Sequence, residues 1–191
     1  SSIKLTADSD GGTVELKAPP TTTSNAAKVI TLSQNPGVVT QVVQTVKNDT
    51  FTTTSSTATA VTGLSVDITP SSSSNKVLIR AIISQGNSSD EYSNLFYLYK
   101  GGSVITAATG DAASNRTRST ATQRQGAGDN GQQTVSIEYL DSPSTTSSTT
   151  YAIYVNTESS TTCAVNRTTH DGDSSPYGRT ISTITAMEVA G

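Results

Sequence analysis

The 191 residues carry a net charge of −3, only 14% charged side chains, one Cys and no Trp, while Ser and Thr crowd every segment. A single Cys, Cys163, excludes an internal disulfide and a cysteine-based zinc site, and the mild acidity argues against nucleic acid, whose backbone demands clustered Lys and Arg. No apolar run approaches the ~20 residues of a membrane span, and no basic start followed by an apolar stretch marks a signal peptide, so neither membrane insertion nor a leader is expected.

The apolar share is 32%, with 14 Gly besides, below the roughly 45–50% of an average globular domain counted with its Gly. Low charge and abundant Val, Ile and Thr nevertheless separate the chain from disordered sequences. β-branched side chains are stiff at χ1 and suit a pleated surface. The expectation is an all-β chain with small core residues, in part shared between subunits.

In chain order, IKLTA and TVELKA alternate with a period of two, placing Ile3 with Leu5 and Val14 with Leu16. Between them ADSDGG supplies Asp and Gly, which accept the backbone angles of a tight reversal, so a hairpin is expected. Pro19 and Pro20 follow, then the run KVITL, then Pro36 and Gly37. Three short strands cannot bury a core of their own, since isolated hairpins are marginal in water. Residues 1–37 therefore read as an arm that needs a partner surface or copies of itself.

The second part opens with VVTQVVQTVK, then LSVDI, the turn TPSSSSN, and KVLIRAIIS. In the last run Val77, Ile79, Ala81 and Ile83 share one face and Leu78, Arg80 and Ile82 the other, which predicts a strand covered on both sides. NLFYLYK sets Leu95, Tyr97 and Tyr99 opposite Phe96 and Leu98, and GGS turns the chain into VITA. TVSIEYL aligns Val135, Ile137 and Tyr139; TTYAIYVNT aligns Tyr151, Ile153 and Val155; RTISTITAMEVA ends the series. No stretch carries a 3.6-residue stripe with helix caps. About eight strands predict an antiparallel β-sandwich or jelly-roll-like domain over residues 45–191. Three long loops, 85–93, 107–131 and 166–179, are the places to look for function.

Two stretches resemble known proteins. IKLTADSDGGTVELKAP, with the Ser/Thr/Asn segment and β run after it, resembles the N-terminal part of structural proteins of tailed bacteriophages, those of marine and cyanobacterial phages above all. FTTTSSTATAVTGLSVDITPSSSSNKVLIRA resembles the start of a β-rich domain in phage tail fibres and related virion appendages, and STITAMEVAG has the same character. The resemblance covers residues 1–35 and 51–83, the C-terminus loosely, and the long loops not at all. It implies a homotrimeric virion protein on the tail or head surface. Its N-terminal arm (1–37) would dock to other virion proteins and its sandwich (45–191) would face outward. Tail fibres carry an extended shaft that this chain lacks, which leaves a short tail fibre, a tail-tip piece or a fibre on the capsid. Two other classes stay open, a capsid decoration (cement) protein and a stand-alone carbohydrate-binding module.

The acidic knots are weak as metal sites. Counted as an EF-hand loop from Asp8, the third position is Asp10, but the fifth is Gly12 and the twelfth is Pro19, so the pattern fails after two ligands. THDGDSSPYG gathers the only His of the chain, His170, with Asp171 and Asp173 around Gly172 and Pro176, the composition of a surface loop. No G-x-S-x-G occurs for a Ser–His–Asp hydrolase. Asp90, Glu91, Glu138, Asp141 and Glu158 cannot be paired across a cleft from sequence. GAGDNG lacks the Lys and helix of a phosphate loop. No catalytic, cofactor-binding or metal residue is assigned. The loops instead collect Tyr92, Arg116, Arg118, Arg124, Arg167, His170, Tyr177 and Arg179. Arg grips carboxylates with two prongs and Tyr offers a flat face with a polar tip, so a host surface polysaccharide is the expected ligand. Tyr97, Tyr99, Tyr139, Tyr151 and Tyr154 alternate inside strands and are expected to pack. Ile3, Leu5, Val14 and Leu16 are the expected attachment strands.

Overall fold

The computed structural model describes residues 2–5, 14–17, 37–124 and 131–191. The chain divides into two units, residues 1–33 and 34–191. In the first, β1 (Ser2–Leu5) and β2 (Val14–Lys17) pair antiparallel, with Ile3 opposite Leu16 and Leu5 opposite Val14. That pairing is the one the flanking alternation predicts. The DSDGG turn and the KVITL run lie outside the described residues.

The second unit is an antiparallel sandwich of two sheets. Its strands are β3 (Val39–Lys47), β4 (Phe51–Thr53), β5 (Thr59–Ile68), β6 (Lys76–Asn87), β7 (Asn94–Lys100), β8 (Ser103–Val104), β9 (Ala121–Gln123), β10 (Gln133–Asp141), β11 (Thr149–Thr157), β12 (Cys163–Val165) and β13 (Ser182–Val189). The six-stranded sheet is organised on β6. One edge of β6 pairs with β10; the other carries β13 along Lys76–Ile82 and then β12 along Gln85–Asn87. β3 flanks β13, and β4 flanks β12. The five-stranded sheet runs β5-β11-β7, with β8 and β9 in tandem on the far edge of β7.

Alternation decides what lies between the sheets. β6 contributes Val77, Ile79, Ala81 and Ile83, and β13 adds Ile184 and Ala186. They meet Leu64, Val66 and Ile68 of β5, Phe96 and Leu98 of β7, and Tyr151, Ile153 and Val155 of β11. Each fully buried aliphatic or aromatic side chain contributes about 1.5–3 kcal/mol. The Tyr151 hydroxyl is satisfied inside the core, donating to Asp141 Oδ2 at 2.6 Å, an oxygen that also accepts from Lys100 Nζ at 2.8 Å. Burial first, and then that carboxylate, pushes the Tyr151 hydroxyl far above the ordinary Tyr range. Cys163 is fully buried, and burial pushes its thiol up to about 12, which makes it an inert packing residue.

Gly63 sits at a φ of +78°, where β-carbon sterics disfavour other residues. It permits a bulge that turns both Val61 and Leu64 inward and shifts the β5–β11 register between Ala152 and Tyr154. Gly101 and Gly102, both at positive φ, make the two-residue turn between β7 and β8.

The sandwich has eleven strands among its described residues rather than eight. The three that the pattern misses, β4, β9 and β12, are three residues long, too short for an alternation to be read. β6 continues to Asn87, so the first long loop begins after residue 87 and not at residue 85. VITA is only partly strand: β8 stops at Val104 and Thr106–Ala108 form a 3-10 turn. The expectation that β6 is covered on both sides fails on the outer face, where Arg80 is exposed and Leu78 and Ile82 are half-buried.

Candidate functional site

The loop after β12 is an excursion between two strands that share one edge of β6. Its root is Asn166, fully buried at a φ of +63°. Its amide Nδ2 donates to the backbone oxygens of Lys47 at 2.9 Å and Asp49 at 2.8 Å, and its Oδ1 accepts from Ser182 Oγ at 2.6 Å. Ser182 Oγ in turn accepts from Ser84 N at 3.0 Å. One side chain thus ties the end of β12, the start of β13, the β3–β4 connection and β6 together. Gly86 belongs to the same junction: a β-carbon there would stand 3.1 Å from the Arg167 carbonyl oxygen and 3.3 Å from that of Gly131.

Beyond that root, Asp171 organises the loop. Its Oδ1 accepts from Arg179 Nη1, its Oδ2 lies 3.3 Å from Arg167 Nη1, and its backbone N–H donates to Thr168 Oγ1 at 3.1 Å. The Arg179 hydrogen bond, aided by the charges of both Arg residues, holds the Asp171 carboxyl below its ordinary range. His170 and Tyr177 approach with ring centroids 5.2 Å apart. Tyr177 lies over Gly172, where a β-carbon would come within 2.5 Å of its ring. A polar hollow of about 550 Å³ is lined by Asp171, Asp173, Tyr177 and Arg179. Four of the sequence-selected residues (Arg167, His170, Tyr177 and Arg179) therefore form one cluster. Both Arg groups engage Asp171 through Nη1, and Arg167 Nη1 also donates to Thr168 O at 3.0 Å; among the described residues no group of three His, Cys, Asp or Glu is placed to hold a metal ion.

The other selected residues are dispersed. Tyr92 is 38% exposed and its backbone oxygen accepts from Asn87 Nδ2 at 2.8 Å. Arg124 Nη1 reaches the Glu91 carbonyl at 3.3 Å, linking that loop to the end of β9. Arg116 is exposed in the turn after Ala113. Arg118 lies against the outer face of the five-stranded sheet, its Nε donating to the Gly110 carbonyl at 2.6 Å. Of the tyrosines expected to pack, Tyr151 fills the core and Tyr139 borders it. Tyr97, Tyr99 and Tyr154 do not reach it: they stand half-buried on the outer face.

The opposite outer face, that of the six-stranded sheet, was not singled out by sequence. Its register aligns residues of four strands into rows. Val42, Met187, Leu78 and Leu140 form an aliphatic row, Gln44, Thr185, Arg80 and Glu138 a polar one, and Val46, Thr183, Ile82 and Ser136 a mixed one. Val42 is 59% exposed, Val46 51% and Leu140 45%. A shallow hollow of about 340 Å³ spans the rows between Val42, Arg80, Ile82 and Met187. The row runs out to β3, which among the described residues pairs with β13 alone. β3 reads VTQVVQTVK, with no Pro and no charge before its last residue. It therefore lacks two of the devices by which edge strands usually avoid further pairing, Pro and internal charge, and carries a third, a bulge at Thr40, only near its start. The signal was present in sequence as the second apolar face of KVLIRAIIS, there expected to be covered.

No protein-family model matches the sequence, and no curated protein does. Among solved structures, the chain is similar to that of infectious bursal disease virus strain Gx, at 15% identity and a TM-score of 0.42, over 97% of this chain and 45% of that one. It is similar to T=1 particles derived from infectious bursal virus, at 15% identity and a TM-score of 0.42, over 97% and 44%. It is also similar to the VP2 subviral particle of infectious bursal disease virus, at 14% identity and a TM-score of 0.41, over 97% and 46%. The chain spans less than half the length of each of these.

Proposed function

We propose that the chain is a structural protein of a virion, a homotrimer that works by binding and makes or breaks no bond. The observation that carries the self-association is the aliphatic row Val42, Met187, Leu78 and Leu140, continuous with an edge of β3 that pairs with no strand among the described residues. Apolar side chains left at the surface mark association sites, and an edge strand offers backbone donors and acceptors to another chain. Three copies would turn this face toward a common axis. The resemblance of residues 1–35 and 51–83 to phage appendage proteins supports the virion setting. In this reading residues 1–37 are the attachment arm. Its paired β1 and β2, with Ile3 opposite Leu16 and Leu5 opposite Val14, dock to other virion proteins. The sandwich faces outward and contacts host surface polysaccharide, and three copies raise apparent affinity through effective concentration.

The test is the mass of the purified chain in solution, with and without residues 1–37. The reading expects a trimer from the intact chain and retained self-association by the truncated one, with loss of particle binding on truncation. A monomer in both cases overturns it.

A further inference from the structure

We propose that the outer face of the five-stranded sheet is a saccharide-binding platform, formed by Tyr97, Tyr99 and Tyr154 with Arg118 at its rim, that takes a pyranose bearing a carboxylate. The proposal rests on the reading above only in supplying the site of its glycan contact, and it does not depend on the assembly state.

The platform follows from register. Phe96 and Leu98 take the inward positions of β7, so Tyr97 and Tyr99 point outward. Across the ladder Tyr154 of β11 stands opposite Tyr97, while the small Ala152 stands opposite Tyr99. The room left by Ala152 lets the Tyr154 ring lie on that of Tyr99, with centroids 3.7 Å apart and planes 12° from parallel. Tyr154 thereby backs Tyr99, which borders the open side of the sheet. A hollow of about 210 Å³ opens beside them, lined by Tyr97, Tyr99, Val104, Thr106, Thr109 and Arg118.

Its wall is fixed before any ligand arrives. Thr120 N donates to Phe96 O at 2.9 Å, and Leu98 N donates to Thr120 Oγ1 at 3.0 Å. Gly110 N donates to Ser119 O at 3.1 Å, and Thr109 Oγ1 to Thr106 O at 2.8 Å. Arg118 spends only Nε, on Gly110, so its terminal nitrogens have no partner among the described residues. Such preorganisation lowers the entropic cost of binding.

The chemistry selects the ligand. Flat aromatic faces accept an apolar surface, phenol and Thr hydroxyls exchange hydrogen bonds around its edge, and a free guanidinium fork grips a carboxylate. A pyranose is apolar on its ring face and hydroxylated at its rim. An acidic one also satisfies Arg118. Glu158 follows Thr157 at the opposite end of the face, its Oε2 accepting from Ser93 N at 3.1 Å, so the carboxylate belongs at the Arg118 end. Val104 is the one aliphatic side chain of the lining, and its other large apolar surfaces are the flat Tyr rings.

The probes are a hexamer of a hexuronic acid and a neutral hexose hexamer, each titrated against the full chain and read by saturation-transfer NMR and by tyrosine fluorescence, which no Trp obscures. The acidic hexamer is expected to bind, with its ring protons receiving saturation. Tyr99→Ala and Tyr154→Ala each weaken it about tenfold, the scale of a lost aromatic contact. Arg118→Ala weakens the acidic hexamer and leaves the neutral one unchanged, while Lys76→Ala, exposed at the start of β6 in the other sheet, changes neither. Val104→Glu, at a site 39% exposed, keeps the fold and repels the acid. Failure of both hexamers to bind at millimolar concentration overturns the proposal, as does binding that survives the Tyr variants and Val104→Glu. The mass of the chain in the same samples reads assembly separately.

Discussion

The two outer faces of the sandwich obey the same period of two and present opposite chemistry. On the six-stranded sheet the outward positions of β3, β13, β6 and β10 bring Val42, Met187, Leu78 and Leu140 into line. On the five-stranded sheet the outward positions of β7 and β11 are Tyr97, Tyr99 and Tyr154. Aliphatic side chains gain only by leaving water, without direction, so their row suits a lasting contact between subunits. Tyr rings tolerate water at one end and still offer a flat face, so theirs suits a ligand that comes and goes. The face opposite a shared core is thus distinguished by what it loses when left wet.

The largest effect is expected inside. Ile79→Ala, between the outward Leu78 and Arg80, should cost about 2–5 kcal/mol in denaturant unfolding, against less than about 0.5 kcal/mol for Arg80→Ala. Similar costs for both would mean that the inner and outer faces of β6 are wrongly assigned. Next comes the anchor of the strands that build the aliphatic face. Asn166→Ala orphans the Lys47 and Asp49 carbonyls and the Ser182 hydroxyl. A buried polar group left unpaired costs about 1–3 kcal/mol, which thermal unfolding would register as a clear drop in Tm.

The far end of β13 is held by Glu188, 2% exposed. Its Oε1 accepts from Ser71 N at 2.6 Å, Ser71 Oγ at 2.7 Å and Asn75 Nδ2 at 2.6 Å. Burial alone would raise its pKa, but these bonds outweigh burial and leave the carboxyl below its ordinary 4.5. A carboxyl depressed in the folded state stabilises above its unfolded pKa, and that stability is lost as pH falls through the folded value. Urea midpoints measured from pH 7 to about pH 3 should therefore fall on the acid side in the native chain. In Glu188→Gln the acid limb should flatten, and an unchanged limb would remove Glu188 from the account. The smallest effect on stability is expected on the tyrosine face. Tyr154→Ala loses one stacked pair, about 0.5–1.5 kcal/mol, and should leave the mass of the assembly unchanged.

Much of this was legible in the residues. Alternation placed Val77, Ile79, Ala81 and Ile83 on one face of β6. It likewise put Val135 and Ile137 together on β10, and Tyr151, Ile153 and Val155 on β11; all are buried, and the sandwich class follows from them. β12 was not legible, because CAV is buried at all three positions and carries no period. The Asp171 clasp on Arg167 and Arg179 was out of reach because loop geometry decides it, and sequence counted those Arg groups as available. Tyr97 and Tyr99 were visibly on one face, but their partner Tyr154 lies some fifty residues away, where only strand register reveals it. The outward apolar positions of β6 were read correctly as apolar, and within this chain Leu78 and Ile82 are only half-buried. Sequence records that a face seeks cover and does not say from which chain the cover comes.

Sedimentation of the full chain over a range of concentrations, compared with the double variant Val42→Asp and Leu140→Asp, tests most directly whether the aliphatic face joins subunits. The account predicts a trimer for the native chain and a folded monomer, with an unaltered circular dichroism spectrum, for the variant. A variant that sediments as the native chain does would contradict it.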